Sequence, residues 1–147
     1  MALESFMTAE LALATAAAFT GAAIYVSVAE QPARLSVDEK ALLAEWKFSY
    51  VRGVAMQASL ALASALFGLL AFWFTRDWRL LLGAALIFGN WPYTLLVILP
   101  INKRIAATSP DAAGADTRDL IRRWGNLHAG RNALGLAATL TYLWANT

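Results

Sequence analysis

The chain contains no cysteine and a single histidine among its 147 residues. The lack of cysteine excludes disulfides, thiolate metal sites and dithiol redox chemistry. One histidine with Glu30 and Asn102 falls short of the two histidines and one carboxylate of a non-haem iron site, so a catalytic metal would need a partner chain. Haem held through one axial histidine stays open, but no feature of the sequence indicates it. We therefore expect neither a metal nor a cofactor.

Charged residues are also scarce, at 15% of the chain, whereas hydrophobic residues make up 59% and the mean hydropathy is +0.52. This composition is too apolar for an ordinary soluble domain of this length and predicts a small integral membrane protein. The net charge of +2 gives no indication of nucleic-acid binding. No lysine or arginine precedes the first apolar stretch, so we interpret that stretch as a retained span rather than a signal peptide.

Apolar runs and helix boundary signals predict an all-α integral membrane four-helix bundle, with the whole chain in one domain. Pro32 should end the first helix, and Ser36 with Glu39 should form a capping box for the second. Pro92 should kink the third helix, and Thr117 should cap the fourth. The predicted helices cover residues 6–29, 37–74, 80–99 and 117–145.

Basic residues are distributed unequally between the two predicted sides of the membrane. The short turn between the second and third predicted helices lies on one side, opposite the two longer connections, and carries only Arg76 and Arg79. By the positive-inside rule the richer side is cytoplasmic, both termini lie outside, and we expect a bacterial inner (plasma) membrane. The basic residues of the cytoplasmic side are Arg34, Lys40, Lys47, Lys103, Arg104, Arg118, Arg122 and Arg123.

The only histidine belongs to a stripe on the predicted fourth helix. Spacings of four, three and four place the stripe residues on one helix face. An arginine facing hydrocarbon costs about 2.5–3.5 kcal/mol, so this face should point into the bundle and find a partner there. The stripe consists of Trp124, His128, Arg131 and Gly135. The second helix repeats the spacing with Trp46, Tyr50, Gly53 and Gln57, although an interfacial aromatic belt explains that stripe equally well.

The polar groups of the predicted bundle have two interpretations. Asn90 and Tyr93 share a face beside Pro92, where a kink either lines a pocket or serves packing alone. A second group of polar residues gathers at the cytoplasmic end, either as a substrate site or as an interfacial structural clamp. This group comprises Glu30, Arg34, Asn102, Arg104, His128 and Arg131.

Three segments together resemble the anthrone oxygenase family of small bacterial and fungal membrane proteins. They are Glu30–Arg34, the run from Pro92–Tyr93 to Pro100–Asn102, and the fourth helix with Trp124, His128 and Arg131. The resemblance covers nearly the whole chain and implies a four-helix membrane protein. Characterised fungal members oxidise anthrones to anthraquinones with molecular oxygen and without a classical organic cofactor, whereas most bacterial members have no assigned substrate.

If the chain carries out this oxygenase reaction, its residues suggest roles. His128 is the side chain suited to remove a proton at neutral pH. Arg131 and Asn102 could hold the resulting oxyanion, and Glu30 could orient His128 or pair with Arg131. The expected ligand is a hydrophobic aromatic or quinone-like molecule at the cytoplasmic end of the bundle. Its predicted binding residues are Trp124, Tyr93, Trp91, Gln57, Asn90, Arg34 and Tyr50.

The alternative is a non-enzymatic accessory or scaffold subunit of a membrane complex. In that case Glu30, Arg34, His128 and Arg131 form a structural clamp, and the partners are the lipid bilayer and either other subunits or a second copy of the chain. A cavity lined by the fourth-helix stripe favours the enzyme, whereas a closed pair of Glu30 and Arg131 favours the clamp.

Overall fold

The computed structural model describes residues 2–147 and contains four long helices and no strand within that range. The predicted all-α four-helix fold is confirmed. Helix α1 comprises Ala2–Tyr25, the π-helical turn Val26–Glu30 and the α-helical turn Gln31–Leu35, and α2 is Glu39–Thr75. Helix α3 comprises Trp78–Phe88, Asn90–Tyr93, the π-helical turn Thr94–Ile98 and Leu99–Ala107, and the 3-10 turn Pro110–Ala112 leads to α4, Ala115–Ala145.

Three of the four helices are long and apolar enough to cross a membrane, which fits an integral membrane protein. α4 is less apolar because His128, Arg131 and Asn132 lie in its middle. It completes the bundle by packing against α1 and α3, while α2 packs against the same two helices from the other side. The three apolar helices are Phe6–Leu35, Glu39–Thr75 and Trp78–Ala107.

α1 passes through Pro32, contrary to the prediction that it ends there. The π-helical turn Val26–Glu30 comes just before, and Pro32 occupies one of the first two positions of the α-helical turn that follows. Proline is tolerated at the start of a helical turn because its missing N–H would have no partner there. α3 repeats this arrangement, with the π-helical turn Thr94–Ile98 before Pro100, and continues to Ala107, well past its predicted end.

The cap of α2 also differs from the prediction. The Asp38 side chain caps the helix by accepting hydrogen bonds of 3.0 Å from two backbone N–H groups of the first turn. The bond from the Ala41 N–H is the main reason that the pKa of Asp38 lies below its usual range. Ser36 instead donates through Oγ to the Ala33 carbonyl at 2.7 Å, at the end of α1. The predicted capping box of Ser36 and Glu39 is therefore wrong.

The start of α4 lies slightly before its predicted cap. Gly114 occupies the cap position, and Thr117 lies within the first turn. The Thr117 Oγ1 accepts a hydrogen bond of 3.3 Å from the Gly114 N–H. Thr117 therefore ties the first turn back to the preceding loop instead of capping the helix.

Two hydrophobic clusters form the core, one towards each end of the bundle. The end that holds the termini is packed mainly with alanine, and Tyr142 fills the space left by small residues of α2 and α3. A Cβ atom at Gly68 would lie 2.1 Å from the Tyr142 Oη, so only glycine permits this contact. The opposite end is packed with larger side chains, including Leu42, Trp46 and Ile105. Three buried polar residues, Gln57, His128 and Arg131, lie between these two clusters along α2 and α4.

Candidate functional site

A cavity of about 40 Å³ lies inside the bundle and is lined by residues of all four helices. Its walls include both π-helical turns, through Val26 and Glu30 of α1 and Thr94 and Ile98 of α3. π-helical turns inside α-helices are frequent at functional sites. We call this space the polar cavity. Seven of the predicted site residues line it: Glu30, Tyr50, Gln57, Asn102, Trp124, His128 and Arg131.

His128 is buried at the polar cavity, with 3% of its surface exposed. Its ring lies against Trp124, with 5.1 Å between ring centroids. The Nδ1 atom is 3.4 Å from the Ser27 Oγ, which accepts a hydrogen bond of 2.8 Å from the Asn132 Nδ2. If Nδ1 carries the proton, it donates to Ser27 and leaves Nε2 with a free electron pair, which a general base requires.

Arg34 forms an ion-pair cluster behind the cavity wall. Its guanidinium pairs with both Glu30 and Glu45 and donates to the Ser49 Oγ and the Gln31 Oε1, each at 2.9 Å. All of its charge is therefore compensated within the chain. Within residues 2–147, Glu30 pairs with Arg34 rather than with His128 or Arg131, so neither expected contact of Glu30 is present.

Arg131 has no such compensation. It is 8% exposed, and within residues 2–147 its guanidinium has neither an ion-pair partner nor a hydrogen-bond acceptor. Its Nε is fully buried and unpartnered, and the guanidinium carbon lies 5.4 Å from the centroid of the Phe19 ring. A buried charge without such a partner is costly in an apolar bundle, so the guanidinium is available to a ligand or to water in the cavity.

Other polar atoms around the polar cavity are unpartnered too. A buried polar atom without a hydrogen bond costs about 1–3 kcal/mol, and folded proteins hold only a few of them. Asn102 donates through Nδ2 to the Tyr50 Oη at 3.1 Å, but its Oδ1 has no partner. Such a concentration at one cavity is typical of a site that binds polar groups of a ligand or water. The unpartnered atoms of cavity-lining residues are Trp46 Nε1, Gln57 Oε1, Asn102 Oδ1, Trp124 Nε1 and Arg131 Nε.

Four predicted binding residues lie outside the polar cavity. Asn90 and Trp91 line a second cavity, which shares Arg131 with the first. Tyr93 donates through its hydroxyl to the Leu127 carbonyl at 2.8 Å and lines neither cavity, and Arg34 belongs to the ion-pair cluster described above. Tyr93 therefore takes part in helix packing and Arg34 in charge compensation, and their contacts with a ligand stay a prediction.

Comparison with known proteins identifies the family. Residues 46–141 match the family model described as anthrone oxygenase. The chain belongs to the anthrone oxygenase family. A curated relative, an anthrone oxygenase of Claviceps purpurea, is 29% identical over an alignment that covers 88% of this chain and 83% of the relative. No solved structure matches the chain. The resemblance seen in the sequence is therefore confirmed.

The range matched by the anthrone oxygenase model covers most of the candidate site. It begins at Trp46 and includes Gln57, Asn102, His128 and Arg131. The ion-pair partners on α1 lie before it. The matched range therefore holds the histidine, the unpaired arginine and most of the unpartnered polar atoms, whereas the charge-compensated cluster is built largely from the preceding segment.

Several site residues of this anthrone oxygenase family member were not among the predicted ones. Trp46, Ser49 and Thr94 line the polar cavity, and Ser27 and Asn132 fix the His128 ring. Trp46 was visible in the sequence as the first member of the second-helix stripe. Ser27 carried no signal, because a serine within an apolar helix is ordinarily a packing residue.

The arrangement suits acid–base chemistry more than metal binding. Within residues 2–147 no three histidine, aspartate or glutamate side chains come together as metal ligands. The polar cavity instead combines an imidazole, a guanidinium and two indole N–H donors. A base beside preorganised positive charge can remove a proton from carbon and stabilise the anion that forms.

Proposed function

We propose that this protein is a membrane oxygenase that oxidises anthrone-like aromatic ketones with molecular oxygen and without a cofactor, with His128 as the general base. The observation that carries the proposal is the buried, unpaired Arg131 three residues from His128 on one face of α4. Side chains at this spacing lie about 5–6 Å apart at Cβ, so both can reach one ring of a bound molecule. The family membership supports the same reaction class.

The proposed reaction begins at the methylene group opposite the ketone. His128 removes one methylene proton, and the electron pair moves through the ring to the ketone oxygen, giving an enolate. The enolate carbon then donates electrons to oxygen and forms a C–O bond, so that a peroxide is produced. Protonated His128 gives its proton to the outer oxygen of this peroxide anion, and the neutral imidazole then removes the second methylene proton. The C–H electron pair forms the new carbonyl as the O–O bond breaks, and the departing hydroxide takes the proton from His128 and leaves as water. One oxygen atom enters the quinone and the other leaves in water.

Arg131 would stabilise the enolate oxygen. The charge on that oxygen develops only after proton removal, so a guanidinium already desolvated and in place binds the transition state more strongly than the neutral ketone. Asn102 would accept a hydrogen bond from the ligand through its free Oδ1, and the indole N–H groups of Trp46 and Trp124 would donate further hydrogen bonds, since these unpartnered atoms belong to the same cavity. Loss of one such donor from an enzyme typically lowers kcat by about 10²–10³-fold.

The alternative of a purely structural clamp finds less support. A clamp requires Arg131 to be compensated within the chain, yet Glu30 pairs with Arg34 instead. We therefore favour the enzyme over an accessory or scaffold subunit. Association with a second copy or with other membrane proteins stays a prediction.

The three apolar helices support a location in a membrane, and the orientation of the protein in that membrane is a further part of the proposal. We propose that the basic connections, and with them the Arg34 end of the polar cavity, face the cytoplasm, with both termini on the opposite side. The curated relative is fungal, so the bacterial inner membrane stays a prediction.

The test compares oxygen consumption and quinone formation from anthrone by the detergent-solubilised protein and its His128→Ala variant. We expect the catalysed rate to fall by about 10²–10⁴-fold, towards the spontaneous oxidation rate of anthrone. Asn126→Ala is the matched control, because Asn126 is exposed on the same helix two residues away, and should keep full activity. Full activity of a folded His128→Ala variant would refute the histidine mechanism, and no activity of the unmodified protein on anthrone would refute the substrate assignment.

A further inference from the structure

A second cavity, of about 160 Å³, lies between α2 and α3 and adjoins the polar cavity at Arg131. Its walls are mostly apolar, with Ala58 and Ala61 from α2 and Trp91 and Leu95 from α3. For comparison, an engineered apolar cavity of about 150 Å³ in another protein stays dry and binds benzene. The volume therefore suits one aromatic ring. We call this space the apolar cavity.

The rim of the apolar cavity lies on the outer surface of the bundle. Leu95 is 54% exposed and Trp91 is 38% exposed, and both belong to the central part of α3. α3 is one of the three helices apolar enough to cross a membrane, so its exposed apolar side chains face hydrocarbon. The apolar cavity thus opens towards the bilayer rather than towards water.

Small residues and the irregular part of α3 create this opening. Ala58 and Ala61 are three residues apart, so they share one face of α2 and leave room opposite α3. Facing them, α3 passes from the short segment Asn90–Tyr93 into the π-helical turn Thr94–Ile98. The opening therefore arises where a small-residue face meets a helix that departs from regular geometry.

Two buried polar side chains mark the inner end of the apolar cavity. Asn90 is 2% exposed, and its Oδ1 has no hydrogen-bond partner, although its Nδ2 donates to the Ile87 carbonyl at 3.1 Å. Arg131, also unpartnered, lines both cavities, as do Val54 and Thr94. A molecule with an apolar ring and a polar oxygen would satisfy both kinds of wall at once.

From this geometry we infer that the apolar cavity binds one ring of an uncharged aromatic substrate, which reaches it from the bilayer between α2 and α3. The ring occupies the space beside Ala58 and Ala61, and the ketone oxygen lies at Arg131. This inference rests on the proposed function for the identity of the substrate but not for the binding of the ring. The substrate class is therefore hydrophobic, uncharged aromatic molecules that partition into lipid.

Binding of tritiated anthracene, an uncharged three-ring hydrocarbon, tests the ring site without any oxygen chemistry. Ala58→Phe should fill the apolar cavity and weaken binding to the solubilised full-length protein by about 10–100-fold, the value of one buried aromatic ring. Ala55→Phe makes the same change on an exposed part of α2 outside the cavity and should bind as the unmodified protein does. Equal binding by the two folded variants would overturn the ring site.

The route from the bilayer has its own pair of variants. Leu95→Trp should obstruct the rim and slow the association of anthracene with the protein in lipid nanodiscs by about tenfold or more. Leu96→Trp is the control, because Leu96 is 78% exposed next to it and lines neither cavity. Both substitutions are made at exposed positions, so folding should be preserved. Equal association rates would overturn access from the membrane.

The outcomes also separate the ring site from the proposed reaction. Anthracene binding that is lost in Ala58→Phe supports the ring site even if anthrone is not oxidised, which would refute the proposed function alone. Oxidation of anthrone at the unmodified rate by Ala58→Phe would leave the proposed function standing and overturn the ring site.

Discussion

Replacing Arg131 with methionine should stabilise the protein and remove its activity. The substitution keeps an unbranched side chain of similar length but deletes a buried charge, 8% exposed, that has neither an ion pair nor a hydrogen bond within residues 2–147. A residue that serves the fold would show the opposite stability change. The sign of that change therefore distinguishes a binding arginine from a structural one.

The magnitude follows from the cost of keeping the charge away from water. Placing an arginine at the centre of a membrane helix costs about 2.5–3.5 kcal/mol on insertion scales. Part of that cost is already offset by the Phe19 ring, whose centroid is 5.4 Å from the guanidinium carbon, and contacts of this kind contribute about 0.5–2 kcal/mol. We therefore expect a net gain of about 0.5–3 kcal/mol in the free energy of unfolding, or about 1–12 °C in the melting temperature.

Arg34→Met is the matched comparison, since it makes the same change at the other buried arginine. Removal of the Arg34 charge leaves Glu30 and Glu45 without their partner. Breaking a buried ion pair costs about 3–5 kcal/mol, and because Glu45 stays 41% exposed we expect the lower part of that range or less. The two arginine variants should therefore shift the melting temperature in opposite directions.

The assay is thermal unfolding of the purified protein in one detergent, followed by tryptophan fluorescence, beside anthrone oxidation by the same samples. A more stable and inactive Arg131→Met would support a ligand-binding arginine. A clear loss of stability in Arg131→Met, comparable to that of Arg34→Met, would refute the reasoning and make Arg131 part of the structural clamp.

Two further predictions concern the histidine and the connection between α2 and α3. Ser27→Ala should lower kcat by about 10–100-fold with little change in KM, because His128 loses the partner of its Nδ1, and Ser27→Thr should restore it; equal effects on kcat and KM would argue against positioning. The hydrogen bond from the Arg79 side chain holds the pKa of Asp77 below its usual 3.8. Ionised Asp77 therefore stabilises the folded protein above pH 3.8, and this stabilisation is lost as the pH falls through the lower pKa of the folded state. Asp77→Asn should flatten the acid limb of melting temperature against pH, and an unchanged limb would contradict this assignment.

The sequence pattern predicted the interior of the bundle well. The stripe of Trp124, His128, Arg131 and Gly135 is buried along its whole length, as a spacing of three and four on one helix face requires. Gln57 of the second-helix stripe is also buried. Helical period and the cost of exposing charge to lipid are local properties of the chain, so they can be derived without knowing the neighbours.

The ion-pair and hydrogen-bond partners of the buried side chains could not all be predicted from the sequence. Arg34 could pair with Glu30 on its own helix, but its second partner, Glu45, comes from α2 after a turn whose geometry the sequence does not determine. Similarly, Ser27 reaches His128 because a π-helical turn places it there. The energies of such contacts depend on packing between helices, which propensities and caps do not include.

The two prolines show why the same signal can end a helix or help shape a site. A proline within a helix removes one backbone hydrogen bond, which ordinarily favours a stop. Before Pro32 and Pro100 the chain instead takes a π-helical turn, and residues of both turns line the polar cavity beside His128. The two π-helical turns, which made the helix ends hard to predict from the sequence, therefore lie at the candidate site.

An unpaired arginine is better suited to the proposed reaction than a paired one. If Glu30 neutralised Arg131, an enolate oxygen would have to compete with a carboxylate that is already in place. Both carboxylates, Glu30 and Glu45, instead pair with Arg34. Arg131 is therefore available to the negative charge that develops during the reaction. Because the neutral ketone gains little from this cation and the enolate gains much, the cost of burying Arg131 is offset mainly in the transition state.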